Sequence, residues 1–122
     1  MKFISFFAVL TAIFTLSAPK ASAQIADTSL IVNGVCSMCK RTIENAADIP
    51  GVKKAVWSSE SKILVLRLDT TKTSLSEVNK AVLKSGYDTE YATATEEDYQ
   101  TLHDCCHYRD PAVLKEHEDK QR

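Results

Sequence analysis

The chain of 122 residues is poor in the residues that interrupt regular structure. It contains only 3 glycines and 3 prolines, and 7% of it is aromatic. This scarcity excludes a collagen-like, low-complexity or wholly disordered chain. An excess of charge of one sign is also missing, because 15 basic residues face 16 acidic ones and the formal net charge is -1. The composition therefore predicts one small globular domain and no nucleic-acid partner.

A long hydrophobic run is missing too. The longest one, Phe3 to Leu16, has 14 residues and three hydroxyl interruptions, whereas a membrane-spanning helix needs about 20 residues. Met1-Lys2 before the run and Ala21-Ser22-Ala23 after it are typical of a cleavable signal peptide. We therefore expect residues 1–23 to be removed. The mature protein is then exported, periplasmic or otherwise extracytoplasmic, with no membrane contact after cleavage.

Catalytic motifs are equally absent from the sequence. It has no glycine-rich phosphate loop, and its serine, histidine and aspartate residues match no recognised nucleophile motif. The sequence therefore predicts that the protein is not an enzyme. What the chain does have is four cysteines, all of which survive cleavage and enter an oxidising compartment.

Hydrophobic periodicity predicts six main elements in the order strand, helix, strand, strand, helix, strand. The strands are expected over 29–35, 52–59, 62–69 and 87–95, and the helices over 40–49 and from 75 to about 85. This order is the split β-α-β pattern of the α+β ferredoxin-like sandwich, an antiparallel sheet with two helices on one face. The continuous apolar run of the third strand predicts a central position with both faces buried.

Local signals mark the second helix and the region after the sheet. Ser74-Leu75-Ser76-Glu77 is a capping box that opens the helix, and Gly86 stands where a C-terminal cap belongs. The spacing of Tyr99, Leu102 and Cys106 predicts a short third helix ended by Pro111. A charged, helical C-terminal tail is expected after it.

Cys36 and Cys39 form a C-x-x-C motif between the first strand and the first helix. Two thiolates at this spacing can bind one soft metal ion, and a helix N-terminus lowers thiol pKa values. A redox dithiol is a second interpretation, although that chemistry usually accompanies a parallel β-α-β pattern. A structural disulfide is a third.

The segments NGVCSMCKRTIENA, PGVKKAVW and KILVLRLD, with the GYD at 86–88, resemble the heavy-metal-associated domain family of copper chaperones and mercury-binding proteins. The resemblance spans 28–94 and leaves 95–122 as a C-terminal extension. It implies that Cys36 and Cys39 bind the ion and pass it by thiolate exchange to a metal-transporting ATPase or another metal-handling protein. It also implies that Tyr87 lies near the metal loop.

The identity of the ion is narrowed by the number of ligands. Two thiolates suit Cu(I) better than Zn(II), which prefers four ligands, while Hg(II) also fits a pair. Cu(I) is therefore the expected ion, with Hg(II) or Zn(II) as alternatives. A homodimer bridged by the metal through two C-x-x-C pairs is a further arrangement that the motif allows.

The sequence departs from the family at one position of the metal loop. The family commonly has methionine two residues before the first cysteine, where this chain has Gly34. That methionine packs under the loop, and we expect Met38 to fill the space from the other side, with a weak thioether contact to the metal as the alternative.

A second cluster of candidate ligands lies in the C-terminal extension: His103, Cys105, Cys106 and His107. On a helix, His103, Cys106 and His107 would share one face and could form a separate zinc or copper site. Alternatively the tail folds back, so that one or both cysteines meet Cys36 and Cys39 and close a site that stores metal. A disulfide to this segment is the third interpretation, and a vicinal Cys105–Cys106 bridge would be strained.

These inferences predict an exported soft-metal carrier, a Cu(I) chaperone or scavenger. A thiol-disulfide protein that uses the C-x-x-C motif and the adjacent cysteine pair is the alternative. A disulfide-stapled interaction domain is the third candidate.

Overall fold

The computed structural model describes residues 24–122. The predicted signal peptide over 1–23 lies outside the described residues. Within this part of the chain, no helix is long and apolar enough to cross a membrane.

Three strands form an antiparallel sheet in the spatial order β1-β3-β2. They are β1 (Ile25–Ile31), β2 (Val52–Trp57) and β3 (Ile63–Asp69). Along β1, the register pairs Ile25 with Asp69 and Ile31 with Ile63. The predicted central position of the third strand is confirmed.

The predicted burial of both faces of β3 is wrong. Leu64, Leu66 and Leu68 are buried, whereas Ile63 and Val65 on the opposite face are 36% and 47% exposed. The reason is that both main helices pack on the same face of the sheet, which leaves the other face to solvent, as antiparallel sheets commonly allow.

Helices α1 (Ser37–Ala47) and α2 (Leu75–Lys84) cover that buried face. The buried stripe of α1 is Cys39, Ile43 and Ala47, which follows helical spacing. The first helix thus begins earlier than predicted, with Cys36 as its N-cap residue. This start matters because it puts the whole C-x-x-C motif at the helix N-terminus.

The signals at the ends of α2 are confirmed. The Ser74 hydroxyl accepts a hydrogen bond from the Glu77 N–H at 3.3 Å. Gly86 follows the helix with a φ of +104°, a conformation that favours glycine. The chain therefore turns sharply after α2 and runs back towards the metal loop.

The fourth strand predicted over 87–95 is present only as one antiparallel bridge, between Val32 and Thr89. The chain turns back directly after it, because the Thr89 N–H donates to the Ala92 carbonyl at 3.0 Å and the Ala94 N–H donates to the Asp88 carboxylate at 2.7 Å. The ferredoxin-like class is confirmed, with three strands in its sheet.

The C-terminal extension contains α3 (Glu96–Gln100), a 3-10 turn (Asp104–Cys106) and α4 (Pro111–Lys120). The helix predicted through Cys106 is wrong, since α3 ends where the Thr101 hydroxyl donates to the Asp98 carbonyl at 2.6 Å. Pro111 begins α4 at its first turn, where proline is well tolerated. The predicted helical tail is confirmed.

Candidate metal site

The C-x-x-C motif brings two sulfur atoms together at the N-terminus of α1. Cys36 precedes the first helical turn and is partly exposed, whereas Cys39 lies in that turn and is buried. Their Sγ atoms are 3.7 Å apart. Residues three apart at a helix start point to the same side, so both thiols face one small space.

Cys106 of the extension lies in the same space. Its Sγ is 4.0 Å from that of Cys36, and the three sulfur atoms of Cys36, Cys39 and Cys106 all lie within 4.8 Å of one another. Residues 24–122 contain no other group of three or more cysteine, histidine or acidic ligands with such spacing. The sequence allows a separate metal site in the extension, a disulfide, or a tail that folds back onto the C-x-x-C motif. The structure has the folded-back tail. All four cysteines are free thiols.

Cys105 lies beside this triangle of sulfur atoms. Its Sγ is 3.9 Å from that of Cys106 and 3.4 Å from the Met38 thioether sulfur. Met38 is 44% exposed, so the expectation that it packs under the metal loop is wrong. Its sulfur instead faces the C-terminal extension.

Trp57 occupies the space under the loop. A Cβ atom added to Gly34 would lie 2.9 Å from the Trp57 ring, and the Trp57 indole N–H donates to the Val32 carbonyl at 3.0 Å. Glycine is therefore the residue that this aromatic ring permits. The tryptophan thus supports the loop from below Gly34.

The histidines of the second cluster do not reach the sulfur atoms. His103 is exposed and precedes the 3-10 turn. The His107 Nε2 lies 3.0 Å from the Leu102 carbonyl oxygen, and its ring packs 5.0 Å from that of Tyr99. The predicted face shared by His103, Cys106 and His107 is wrong because the segment is not α-helical.

Tyr87 lies at the metal loop, as the resemblance implies. Its side chain is fully buried, and its hydroxyl faces the sulfur atoms of Cys39 and Cys106 without making a well-formed hydrogen bond. Burial, together with the neighbouring Cys39, raises the pKa of the Tyr87 hydroxyl far above its usual value. The residue is therefore a neutral polar group aimed at the thiols.

The three thiols differ in acidity. The pKa values of Cys36 and Cys106 are raised, chiefly by burial. For Cys36, burial therefore outweighs the lowering of the thiol pKa that is expected at a helix N-terminus. Burial acts on Cys39 in the same direction. The Tyr87 hydroxyl, the Val35 backbone and the Cys106 thiol nevertheless bring the pKa of Cys39 below its usual value. Cys39 is thus the most readily ionised thiol of the three.

Sequence reasoning missed Lys62, a cation that interacts electrostatically with Cys39 and Cys36. Lys62 ends the turn between β2 and β3, and its ammonium group donates to the Gly34 carbonyl at 2.5 Å. Burial lowers the Lys62 pKa, and the charges of the Cys39 and Cys36 thiolates act in the opposite direction. Lys62 reaches the loop only because β3 pairs with β1 in the folded protein, so no local sequence pattern could have identified it.

Sequence reasoning also missed the contacts that attach the extension. The Tyr108 hydroxyl donates to the Gly86 carbonyl at 2.8 Å and accepts from the Asp88 N–H at 2.9 Å. The Arg109 guanidinium forms an ion pair with Asp88 at 2.7 Å and donates to the Ala94 carbonyl at 2.9 Å. Tyr108 and Arg109 lie two and three residues after Cys106, and we call them the anchor pair.

Comparisons with known proteins agree with this geometry. Residues 29–88 match the heavy-metal-associated domain. The structure of the CopZ metallochaperone is similar, with 30% identity, a TM-score of 0.51, and coverage of 52% of this chain and 98% of that one. Oxidized MerP from Ralstonia metallidurans CH34 is also similar, with 30% identity, a TM-score of 0.52 and coverage of 55% and 96%.

A protein from Bacillus anthracis str. Ames shares the fold, with 21% identity, a TM-score of 0.53 and coverage of 57% of this chain and 100% of that one. No curated protein matches the sequence. Each of these structures covers about half of this chain and nearly all of its own length. The matched residues, which include both cysteines of the C-x-x-C motif, show that the chain belongs to the heavy-metal-associated domain family.

Proposed function

We propose that this protein is an exported carrier of a soft metal ion, most consistent with a Cu(I) chaperone or scavenger. The observation that carries the proposal is the pair of Cys36 and Cys39 sulfur atoms, 3.7 Å apart in the loop of a heavy-metal-associated domain. The similarity to a protein described as a metallochaperone supports the same function. The protein has no role as an enzyme in this proposal.

The ligand chemistry favours a soft ion of low coordination number. Thiolates select Cu(I), Hg(II) and similar thiophilic ions. Structural Zn(II) sites almost always have four ligands, whereas the described residues bring three sulfur atoms to one point. Cu(I) is the ion that we propose, and Hg(II) is the alternative with the same ligands.

The difference in exposure between the two cysteines suggests the order of transfer. Cys36 is partly exposed and Cys39 is buried. A partner thiolate can therefore reach the ion from the Cys36 side, while Cys39 holds it until the exchange is complete. The partner in this scheme is a metal-transporting ATPase or another metal-handling protein with its own pair of thiols.

Export is part of the proposal and rests on the N-terminal sequence. The short apolar run and the Ala21-Ser22-Ala23 site are typical of a signal peptide. The expected location is the periplasm or another extracytoplasmic compartment, where the thiols must be kept reduced or occupied by metal.

The test is an anaerobic Cu(I) titration of reduced protein (residues 24–122) against a chromophoric Cu(I) chelator. Wild type should take one tight equivalent, and Cys36→Ser and Cys39→Ser should each abolish it. The single surface substitution Ser76→Ala, on the outside of α2, serves as a matched control and should bind like wild type. If wild type cannot compete with even a weak chelator, the carrier function is wrong. The cysteines would then be redox or structural.

A further inference from the structure

We propose that Cys106 is a third metal ligand, so that the C-terminal extension closes the site and must withdraw before the ion can leave. This inference rests on the proposed metal-binding function and deepens it. The matched family region ends at residue 88, so the third ligand comes from a part of the chain outside that region.

The spacing of the sulfur atoms fits three ligands better than two. With a metal–thiolate distance of about 2.3 Å, three sulfur atoms around an ion in a plane are about 4.0 Å apart, whereas two on opposite sides are about 4.6 Å apart. The observed distances are 3.7 Å between Cys36 and Cys39 and 4.0 Å between Cys36 and Cys106. Linear two-coordinate binding would require the C-x-x-C pair to spread apart, whereas these two distances, with Cys39 and Cys106 within 4.8 Å of each other, are close to a trigonal arrangement.

The position of Cys106 is enforced by the surrounding structure. Its side chain is buried, and the Tyr108 ring that follows it stacks on Tyr87 with the ring centres 5.6 Å apart. On the other side, the His117 Nε2 lies 3.0 Å from the Cys105 carbonyl oxygen. The anchor pair and α4 therefore hold the 3-10 turn by separate contacts, and Cys106 meets the other thiols as part of a packed arrangement.

The charges around the site suit an anionic metal complex. Three thiolates around a singly charged ion carry a net charge of minus two, which is costly to bury without compensation. The Lys62 ammonium group lies at the same loop, and its electrostatic interactions with Cys36 and Cys39 are attractive when those thiols ionise. The fully buried Tyr87 hydroxyl, which lacks a well-formed partner, can donate to a ligand thiolate.

Closure by Cys106 changes how the ion is handed on. When the protein loads, three metal–sulfur bonds form and each bound thiol releases its proton to solvent. For transfer, the bond to Cys106 breaks as a partner thiolate bonds to the ion, and Cys106 takes up a proton. No oxidation or reduction occurs. Because that sulfur is attached to the extension, release of the ion is coupled to movement of the 3-10 turn.

The deciding experiment is X-ray absorption spectroscopy at the copper K edge, which counts the sulfur ligands of the bound ion. It is carried out on Cu(I)-loaded wild type, Cys106→Ser and Cys105→Ser. Cys105 is the matched control because it is adjacent in sequence but lies outside the triangle of sulfur atoms. We expect three sulfur ligands in wild type and in Cys105→Ser, and two in Cys106→Ser.

Affinity and release provide the second measurement on the same samples. Cys106→Ser should weaken Cu(I) binding by at least the roughly 10- to 100-fold typical of losing a residue that merely supports a metal ligand. It should also lose Cu(I) faster to a small dithiol competitor. Cys105→Ser should match wild type in both measurements.

The outcomes separate this inference from the proposed function. Two sulfur ligands in wild type with tight binding would overturn the role of Cys106 and leave the carrier function intact, and so would three ligands in Cys106→Ser. Failure of wild type to bind Cu(I) at all would overturn both. If Cys106→Ser does not fold, the ligand count of wild type still decides the question.

Discussion

The domain and its C-terminal extension are built in different ways. The domain buries leucines of β3 against the apolar stripes of α1 and α2, with strand pairing along the whole of β3. The extension has no strand, its α3 has five residues, and its α4 has no buried residue. It is held mainly by aromatic and polar side chains, above all the anchor pair.

This contrast shows how one site can hold a metal ion tightly and still release it. The domain supplies Cys36 and Cys39 from a rigid frame. The extension supplies Cys106 from a segment with fewer buried contacts, and such segments open at lower free energy than a packed core. A site shared between the two can hold its ion tightly and still be opened by moving the weaker part.

The largest effect on stability is expected in the domain core. Leu66→Ala removes a fully buried side chain from the central strand and should lower the free energy of unfolding by about 2–5 kcal/mol. The matched control is Val65→Ala, its half-exposed neighbour on the same strand, for which we expect a loss below about 1 kcal/mol. Urea denaturation followed by circular dichroism measures both. Equal losses would contradict the one-sided core.

A smaller effect is expected from the anchor pair. Tyr108→Phe removes the hydroxyl that joins the Gly86 carbonyl to the Asp88 N–H and should cost about 1–3 kcal/mol, because it leaves those groups without their partner. Tyr91→Phe is the control, since Tyr91 is 63% exposed. The same denaturation experiment detects the loss. An unchanged free energy of unfolding for Tyr108→Phe would show that the extension is not attached in this way.

The smallest effect depends on pH and involves the other contact of the anchor pair. Although burial alone raises the pKa of Asp88, its hydrogen bonds and ion pair with Arg109 bring the pKa below its ordinary value. A lowered native pKa stabilises the fold above the unfolded value of about 3.9, and this contribution disappears as the pH falls through the native pKa.

Asp88→Asn should therefore be less stable than wild type at pH 7, and the difference should shrink as the pH falls below about 4. Asp119→Asn, in the exposed end of α4, controls for the loss of one negative charge. Unfolding measured at a series of pH values compares the three proteins. A difference between wild type and Asp88→Asn that does not change with pH would rule out the ion pair as its cause.

Much of the fold follows from local signals in the sequence. The capping box at Ser74, the turn at Gly86 and the order of the first five elements each depend on residues close together in the chain, and each is confirmed. The fourth strand is shorter than the alternation predicts, because the chain turns back through the Thr89–Ala92 bond and the Ala94 N–H bonds the Asp88 carboxylate. The same carboxylate pairs with Arg109, which lies far along the chain. Local alternation carries no information about that ion pair.

The candidate site divides in the same way. The placement of Cys36 and Cys39 at a helix N-terminus follows from the motif and its position between strand and helix. The meeting with Cys106 could only be offered as one alternative, because it depends on Tyr108 and Arg109 docking against the turn after α2. The exposure of Met38 is likewise not predictable from local sequence, since Trp57 reaches the loop from a different strand.

Hydrogen exchange of the unmodified protein, with and without one equivalent of Cu(I), tests the shared site most directly. The account predicts slower exchange at two separate places when Cu(I) is bound: the loop around Cys36 and Cys39, and the segment 104–109 of the extension. Metal binding would then stabilise the docking of the extension onto the domain. Slower exchange confined to the loop, with 104–109 unchanged, would contradict a site shared between the two regions.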